Sequence, residues 1–165
     1  MSKTIIRIKL DPEDMHRAVN ELKAYEQDIL DKKNKLIERL GEIGVGEASV
    51  RFTTAMYDGT NDVKVSLDTI ENGCVIKADG KAVAFIEFGA GVYHNTSEPY
   101  PNPRPKGVVN IGEYGKGKGK RKAWGYKNDS DELVITRGNP AAMPMWYASE
   151  EIKKSVLTIA KEVFG

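Results

Sequence analysis

The longest regular pattern in the sequence lies near its start and is typical of an amphipathic helix. Its apolar residues recur at spacings of three, four and seven with charged residues between them: Met15, Val19, Leu22, Ile29, Leu36 and Leu40. Asp11 supplies an N-cap, and Pro12 suits the first helical position. The pattern stops at Gly41, and Gly44 and Gly46 follow, so we predict that this helix ends at Gly41. So long an apolar stripe needs a packing partner, and it therefore constrains the fold more than any other feature.

Four shorter segments alternate apolar and polar residues and predict strands. Residues 4–10 form the first, and residues 132–137 the last. Between them, residues 62–68 and 74–79 flank Asn72-Gly73, a dipeptide that suits a tight turn. We therefore predict a hairpin from these two middle segments.

Three further segments have a different character. Residues 47–56 suggest a short helix, although their β-branched side chains weaken that hypothesis. Residues 82–91 are almost wholly apolar and predict either a central strand or a short buried helix. After Asn139-Pro140, a second amphipathic pattern predicts a helix that reaches the C-terminus, with its apolar face formed by Met145, Ala148, Ile152, Val156, Ile159 and Val163.

The order of these elements indicates a single α+β domain over residues 1–165. We expect a small, mainly antiparallel sheet packed by a long N-terminal helix and a C-terminal helix. Residues 92–131 interrupt this order with four prolines and a Gly-Lys alternation, which predict one long, protruding, basic loop.

The overall composition excludes several classes of function. The 25 basic and 24 acidic residues give a net charge of +1, which implies no global attraction to nucleic acid or membrane. No apolar run reaches the roughly 18 residues of a membrane span, and no signal-peptide core follows Met1, so we expect a protein that stays in the cytosol unless it is carried elsewhere. Cys74 has no second cysteine to pair with, and we expect it to be a small buried side chain.

The predicted loop carries the strongest local charge. Residues 104–127 hold eight basic residues and one acidic residue, a net charge of +7, which leaves −6 for the rest of the chain. Three interpretations stay open. The loop could dock on an acidic neighbouring subunit, be a simple solvated loop, or contact the phosphates of a nucleic acid whose bases stack on its aromatic side chains. The side chains expected to contact the partner are Lys116, Lys118, Lys120, Arg121, Lys122, Trp124 and Tyr126.

The commonest enzyme signatures are missing, because the sequence has no Gly-x-Ser-x-Gly elbow, Walker loop or His-Glu-x-x-His helix. His16 and His94 are far apart and outside any zinc-ligand spacing, so we expect no metal and no cofactor. Glu87, flanked by apolar residues, is a candidate general acid, with His94 as its partner. The competing interpretation is a buried carboxylate that accepts backbone N–H groups of the Gly89-Ala90-Gly91 turn or pairs with an arginine. We favour this second interpretation and a protein that is not an enzyme.

Two segments resemble motifs of a known family. Phe85-Ile86-Glu87-Phe88-Gly89-Ala90-Gly91 resembles the hydrophobic, Glu, aromatic, Gly, small signature found midway along the tail-completion or head–tail joining (neck) proteins of long-tailed bacteriophages. Pro140-Ala141-Ala142-Met143-Pro144-Met145-Trp146-Tyr147-Ala148, which leads into the last helix, is similar to that family's closing motif. With the order of the other elements, the resemblance spans nearly the whole chain.

The resemblance implies a structural virion assembly protein of a phage or prophage, located in the tail or neck and in the host cytoplasm during assembly. Its partners would be other phage neck or tail proteins and further copies of itself in a ring, with DNA contact through the basic loop as an option and no membrane. The motif residues would be Glu87, Phe88, Gly89, Trp146 and Tyr147. The two aromatic residues are either interface anchors or caps of the core. The alternative is a small nucleic-acid-binding module that uses residues 104–127.

Overall fold

The computed structural model describes residue 9 and residues 11–90, 123–128 and 130–165. Within these residues the strands pair in two separate antiparallel hairpins, β1 with β2 and β3 with β4. The α+β prediction is confirmed, with two small sheets in place of one. The elements follow in the order α1 (Pro12–Thr54), β1 (Lys64–Ile70), β2 (Gly73–Asp79), α2 (Val83–Phe88), β3 (Trp124–Lys127), β4 (Leu133–Thr136) and α3 (Pro144–Phe164).

Helix α1 begins as predicted but is longer than predicted. The carboxylate of Asp11 accepts a hydrogen bond from the backbone N–H of Asp14 at 2.9 Å, which is the expected N-cap. The helix then continues for 43 residues to Thr54. The predicted end at Gly41 is therefore wrong, and the separate short helix suggested for residues 47–56 is the last part of α1.

Close packing explains why glycines occur inside α1. A Cβ atom at Gly44 would lie 2.3 Å from Cδ1 of Ile76 on β2 and 2.6 Å from Cδ1 of Ile152 on α3. A Cβ atom at Gly41 would lie 2.7 Å from Cδ1 of Leu67 on β1. These glycines therefore let the first hairpin and α3 approach the helix axis, which outweighs the cost of glycine in a helix.

The predicted hairpin is confirmed, but its turn is Glu71-Asn72 and not the predicted Asn72-Gly73, because Gly73 is the first residue of β2. Ile70 pairs with Gly73 across the Glu71-Asn72 turn, and the pairing continues to Lys64 and Asp79. Cys74 lies on the side that faces α1, with Sγ 3.6 Å from the carbonyl oxygen of Ile37. Its side chain is half-buried, less than expected, because it lies at the edge of this contact.

The core lies where the second half of α1 meets α2 and α3. For residues 82–91 the structure has the short buried helix α2 and not the central strand that was the other prediction. Helix α3 runs antiparallel to α1, because Arg51 stacks on Tyr147 near one end of the contact and Arg39 pairs with Glu162 near the other. The buried cluster at the centre consists of Ala48, Phe52, Ala82, Ile86 and Ala148.

The second hairpin lies partly inside the predicted loop. Strand β4 was predicted, but β3 falls within residues 92–131, where no strand was expected. Its four residues pair in register with β4, from Trp124 opposite Thr136 to Lys127 opposite Leu133. A strand this short leaves little periodicity to detect. Most of the predicted loop (residues 91–122) and most of the predicted first strand (residues 4–8 and 10) lie outside the described residues.

Candidate functional site

The two motif segments that resemble the phage family contact each other in the structure. Glu87, at the end of α2, is 3% exposed. Its carboxylate accepts hydrogen bonds from the backbone N–H groups of Met145 at 2.8 Å and Trp146 at 3.2 Å. Residues that lie 58 and 59 positions apart in the chain therefore form one buried junction, which we call the Glu87 junction.

The start of α3 explains why a carboxylate is needed there. Met143 precedes the helix in the left-handed conformation, with φ of 51°, and no side chain of its own caps the first turn. Pro144 then occupies the first helical position. The next two N–H groups have no acceptor within the helix, and Glu87 supplies one. Its negative charge is also favoured by the helix dipole.

Backbone contacts close the rest of the junction. Gly89 has a φ of +73°, and a Cβ atom there would lie 2.6 Å from the backbone nitrogen of Ala141. Ala90 and Asn139 exchange two backbone hydrogen bonds of 2.9 Å. The side-chain amide of Asn139 also donates to the carbonyl oxygen of Phe85 at 2.8 Å. The glycine is therefore required because two backbone segments meet at this point.

The Glu87 junction is a structural device. Glu87 is buried and accepts backbone N–H groups, as we favoured, and its donors include Met145 and Trp146 of α3, which the sequence did not predict. The sequence carried no signal for this pairing, because the donors are backbone groups on a distant helix. Phe88 is also buried, at 9% exposed. The junction fixes the start of α3 against α2.

Trp146 and Tyr147 lie half-buried beside this junction. Their rings meet edge to face with centroids 4.8 Å apart. The guanidinium carbon of Arg51 lies 3.7 Å from the centroid of the Tyr147 ring, and Arg51 also pairs with Glu47. Because the rings are partly accessible, the structure leaves both of their expected roles open.

The first part of α1 is largely exposed, and Ala18, at 4% exposed, is the one buried residue among its described positions. After it along the helix, the amine of Lys33 donates to Asn72 at the tip of the first hairpin at 3.2 Å, and Arg39 pairs with Glu162 near the end of α3. Residues 12–32, here called the arm, extend for about 30 Å at the helical rise of 1.5 Å per residue. Four large apolar side chains of the arm are between 47% and 55% exposed: Met15, Val19, Leu22 and Tyr25.

A pocket that sequence reasoning missed lies between the end of α1, α2 and the second hairpin. Its volume is about 270 Å³, and its lining is largely apolar. Four separate segments contribute to it, so no local motif announces it. The residues that define its walls are Tyr57, Asp58, Phe85, Tyr126, Thr136 and Asn139.

Some of the other expected site residues lie within the described structure and some lie outside it. Lys116, Lys118, Lys120, Arg121 and Lys122 lie outside it, as does His94. Trp124 and Tyr126 lie on β3, and Tyr126 lines the pocket with its side chain 41% exposed.

Among the described residues, no group of three or more His, Cys, Asp or Glu side chains is arranged to hold a metal ion. In the same part of the chain, no helix has the length and apolar character needed to cross a membrane.

Comparison of the chain with protein-family models, with curated proteins and with solved structures gives no match. The likeness of the two motifs to phage neck proteins therefore stays a sequence-based expectation.

Proposed function

We propose that this chain is a structural assembly protein that acts by subunit–subunit binding, as a tail-completion or head–tail joining component of a long-tailed phage or prophage. The exposed apolar stripe of the arm supports the binding role. The two motifs that meet at the Glu87 junction support the kind of particle, through their resemblance to phage neck proteins.

The arm has the properties of a surface that a partner covers. Its apolar side chains share one helix face at spacings of three, four and seven, and the described residues leave them about half exposed. A grouped apolar face on a helix is typical of a binding surface, whereas single exposed apolar residues are common on any protein. Burying this face against a neighbour would remove it from water and so drive association.

The charge along α1 supports a second copy as the partner. Residues 13–31 hold six acidic and two basic residues, a net charge of −4. Residues 32–39 hold four basic residues and one acidic residue, a net charge of +3. A head-to-tail contact would place the acidic arm of one copy beside the basic segment of the next, and such contacts close into rings.

Sedimentation velocity over a range of protein concentrations tests the proposal. We expect the wild-type chain to associate and the Leu22→Ser, Tyr25→Ser double variant to stay monomeric with an unchanged circular dichroism spectrum. The matched control is Val50→Ser, Leu157→Ser, which removes two apolar side chains that are 60% and 74% exposed. Both lie in the described structure outside the arm, here called the body, and this variant should associate like the wild type. A wild-type chain that is monomeric at every concentration would refute the proposal.

A further inference from the structure

The pocket beside the second hairpin combines aromatic walls with a carboxylate. Tyr57, Phe85 and Tyr126 line it together with Asp58. Aromatic faces attract cations through the ring quadrupole, and a carboxylate adds a full negative charge. At about 270 Å³ the pocket is smaller than the roughly 300–1,000 Å³ of drug-sized ligand sites, and its size is suited to a single side chain.

The carboxylate of Asp58 is held in place through one of its two oxygens. The hydroxyl of Thr136 donates to Oδ2 of Asp58, and the backbone N–H of Gly138 donates to the same hydroxyl at 2.8 Å. Oδ1 of Asp58 accepts no hydrogen bond from any described residue. Tyr126 pairs with Val134, two residues before Thr136, so the register places Tyr126 and Thr136 on the same face of the hairpin. The open oxygen and the aromatic ring therefore belong to one surface.

The electrostatics of Tyr57 agree with a site for a positive charge. Burial raises the pKa of the Tyr57 hydroxyl above its usual 10.0, and Tyr126, Asp58 and Asp62 raise it further. The carboxylates of Asp58 and Asp62, which oppose a negative charge on Tyr57, would attract a cation at the same place.

We propose that this pocket binds a lysine or arginine side chain from the basic segment 115–122 of a second copy of the chain. The segment holds five basic residues and no acidic residue within eight positions, the densest positive charge in the sequence. The remainder of the chain outside residues 104–127 carries −6. A basic segment and a pocket that holds one carboxylate, carried by the same chain, are complementary between copies, as in a head-to-tail contact. The choice of a second copy rests on the proposed function, whereas the cation chemistry of the pocket does not.

Peptide binding tests the pocket chemistry. The probe is a fluorescent peptide with the sequence of residues 115–122, and the receptor is the full chain with Lys116, Lys118, Lys120, Arg121 and Lys122 changed to Gln, so that its own segment does not compete. Fluorescence anisotropy should show binding that weakens roughly tenfold in the added Asp58→Asn variant, because the charge partner is lost while the oxygen that accepts from Thr136 is kept.

The control is Asp68→Asn, which removes the same charge from β1, where Asp68 pairs with Lys77 away from the pocket. We expect it to leave binding within about twofold of the parent receptor, since distant exposed charges are screened by salt. Equal weakening by the two substitutions, or no binding by either receptor, would overturn the pocket assignment.

Carbodiimide cross-linking tests the second copy. A mixture of ¹⁵N-labelled and unlabelled wild-type chains should give links between Asp58 and a lysine of segment 115–122 that join a labelled chain to an unlabelled one. Links found only within one isotope class would show that the segment reaches the pocket of its own chain and would refute the second copy as the partner. A chain that associates through the arm but fails the peptide test would refute the pocket and leave the proposed function standing.

Discussion

The two halves of α1 have the same kind of sequence and opposite surroundings. In the second half, Gly41 and Gly44 let β1, β2 and α3 approach closely, and Ala48 and Phe52 are buried in the core. In the first half, Met15 and Leu22 are 53% and 52% exposed, and Ala18, at 4%, is the one buried residue among the described positions of that half. One helix therefore belongs to the core at one end and offers an apolar face at the other.

This difference shows what a periodic apolar pattern can and cannot tell. Residues at intervals of seven are apolar from one end of the helix to the other: Met15, Leu22, Ile29, Leu36 and Ile43. Nothing in this spacing separates the part that packs within the chain from the part that is left for a partner. The packed part of α1 is the part that α3 and the first hairpin cover. If the division into a packed part and a binding part is correct, substitutions in the body should lower stability, and substitutions in the arm should weaken association.

The largest expected effect is on the body, at Glu87. Glu87→Ala removes the acceptor of two buried N–H groups at the start of α3, and we expect it to lower the free energy of unfolding by about 2–4 kcal/mol. Urea unfolding, at a protein concentration where the chain is monomeric, measures this change. Glu87→Gln keeps one acceptor oxygen and should cost less.

Glu162→Ala is the matched control for Glu87, because Glu162 joins α3 to α1 through an exposed ion pair with Arg39. Exposed pairs contribute about 0–1 kcal/mol, so this variant should unfold almost like the wild type. Similar losses for Glu87→Ala and Glu162→Ala would mean that the Glu87 junction does not hold the body together.

A smaller effect tests the glycines inside the second half of α1. We expect Gly44→Ala to destabilise the fold by about 1–2 kcal/mol, because the new methyl group overlaps both Ile76 and Ile152 and the overpacking outweighs the better helix propensity of alanine. Thermal unfolding of the monomer would show the change as a lower Tm.

Gly46 supplies the control within the same helix. No described atom lies within 4 Å of a Cβ atom built there, so Gly46→Ala should gain up to about 1 kcal/mol from helix propensity alone. If both substitutions stabilise, the close approach at Gly44 is not a feature of the fold and the contrast between the two halves of α1 is weakened.

The smallest expected effect is a pH dependence of the free energy of unfolding that arises from the Tyr57 hydroxyl. Because its pKa is raised in the folded state, the folded and unfolded chains both keep the proton below pH 10.0, and only the unfolded chain loses it just above that value. The free energy of unfolding should therefore fall as the pH rises above 10.0 and toward the folded pKa. Urea unfolding at about pH 8 and about pH 10.5 measures the fall.

Tyr57→Phe should reduce this alkaline loss of stability, since phenylalanine has no proton to lose. The control is Tyr25→Phe, which removes a hydroxyl from the exposed arm, and it should leave the loss unchanged. The same dependence in wild type and Tyr57→Phe would contradict the buried, negatively charged surroundings on which the pocket assignment draws.

Local signals in the sequence predicted much of the fold. The Asp11-Pro12 start of α1 and the amphipathic pattern of α3 each act within a few neighbouring residues. The Asn72-Gly73 signal is equally local; it predicted the hairpin but placed the turn one residue late. The other failures involve distant partners: Gly41 was taken for the helix end because Leu67, which packs against it, is remote in sequence. The donors to Glu87 and the walls of the pocket were missed for the same reason, since each joins segments that only the folded chain brings together.

Hydrogen exchange as a function of protein concentration tests the central contrast most directly. An isolated helix is marginally stable in water, so amides of residues 15–30 should exchange rapidly in dilute solution. We expect their exchange to slow as concentration rises and neighbouring copies cover the stripe, while amides of residues 44–52 stay slow throughout. Exchange in residues 15–30 that is independent of concentration would contradict the account.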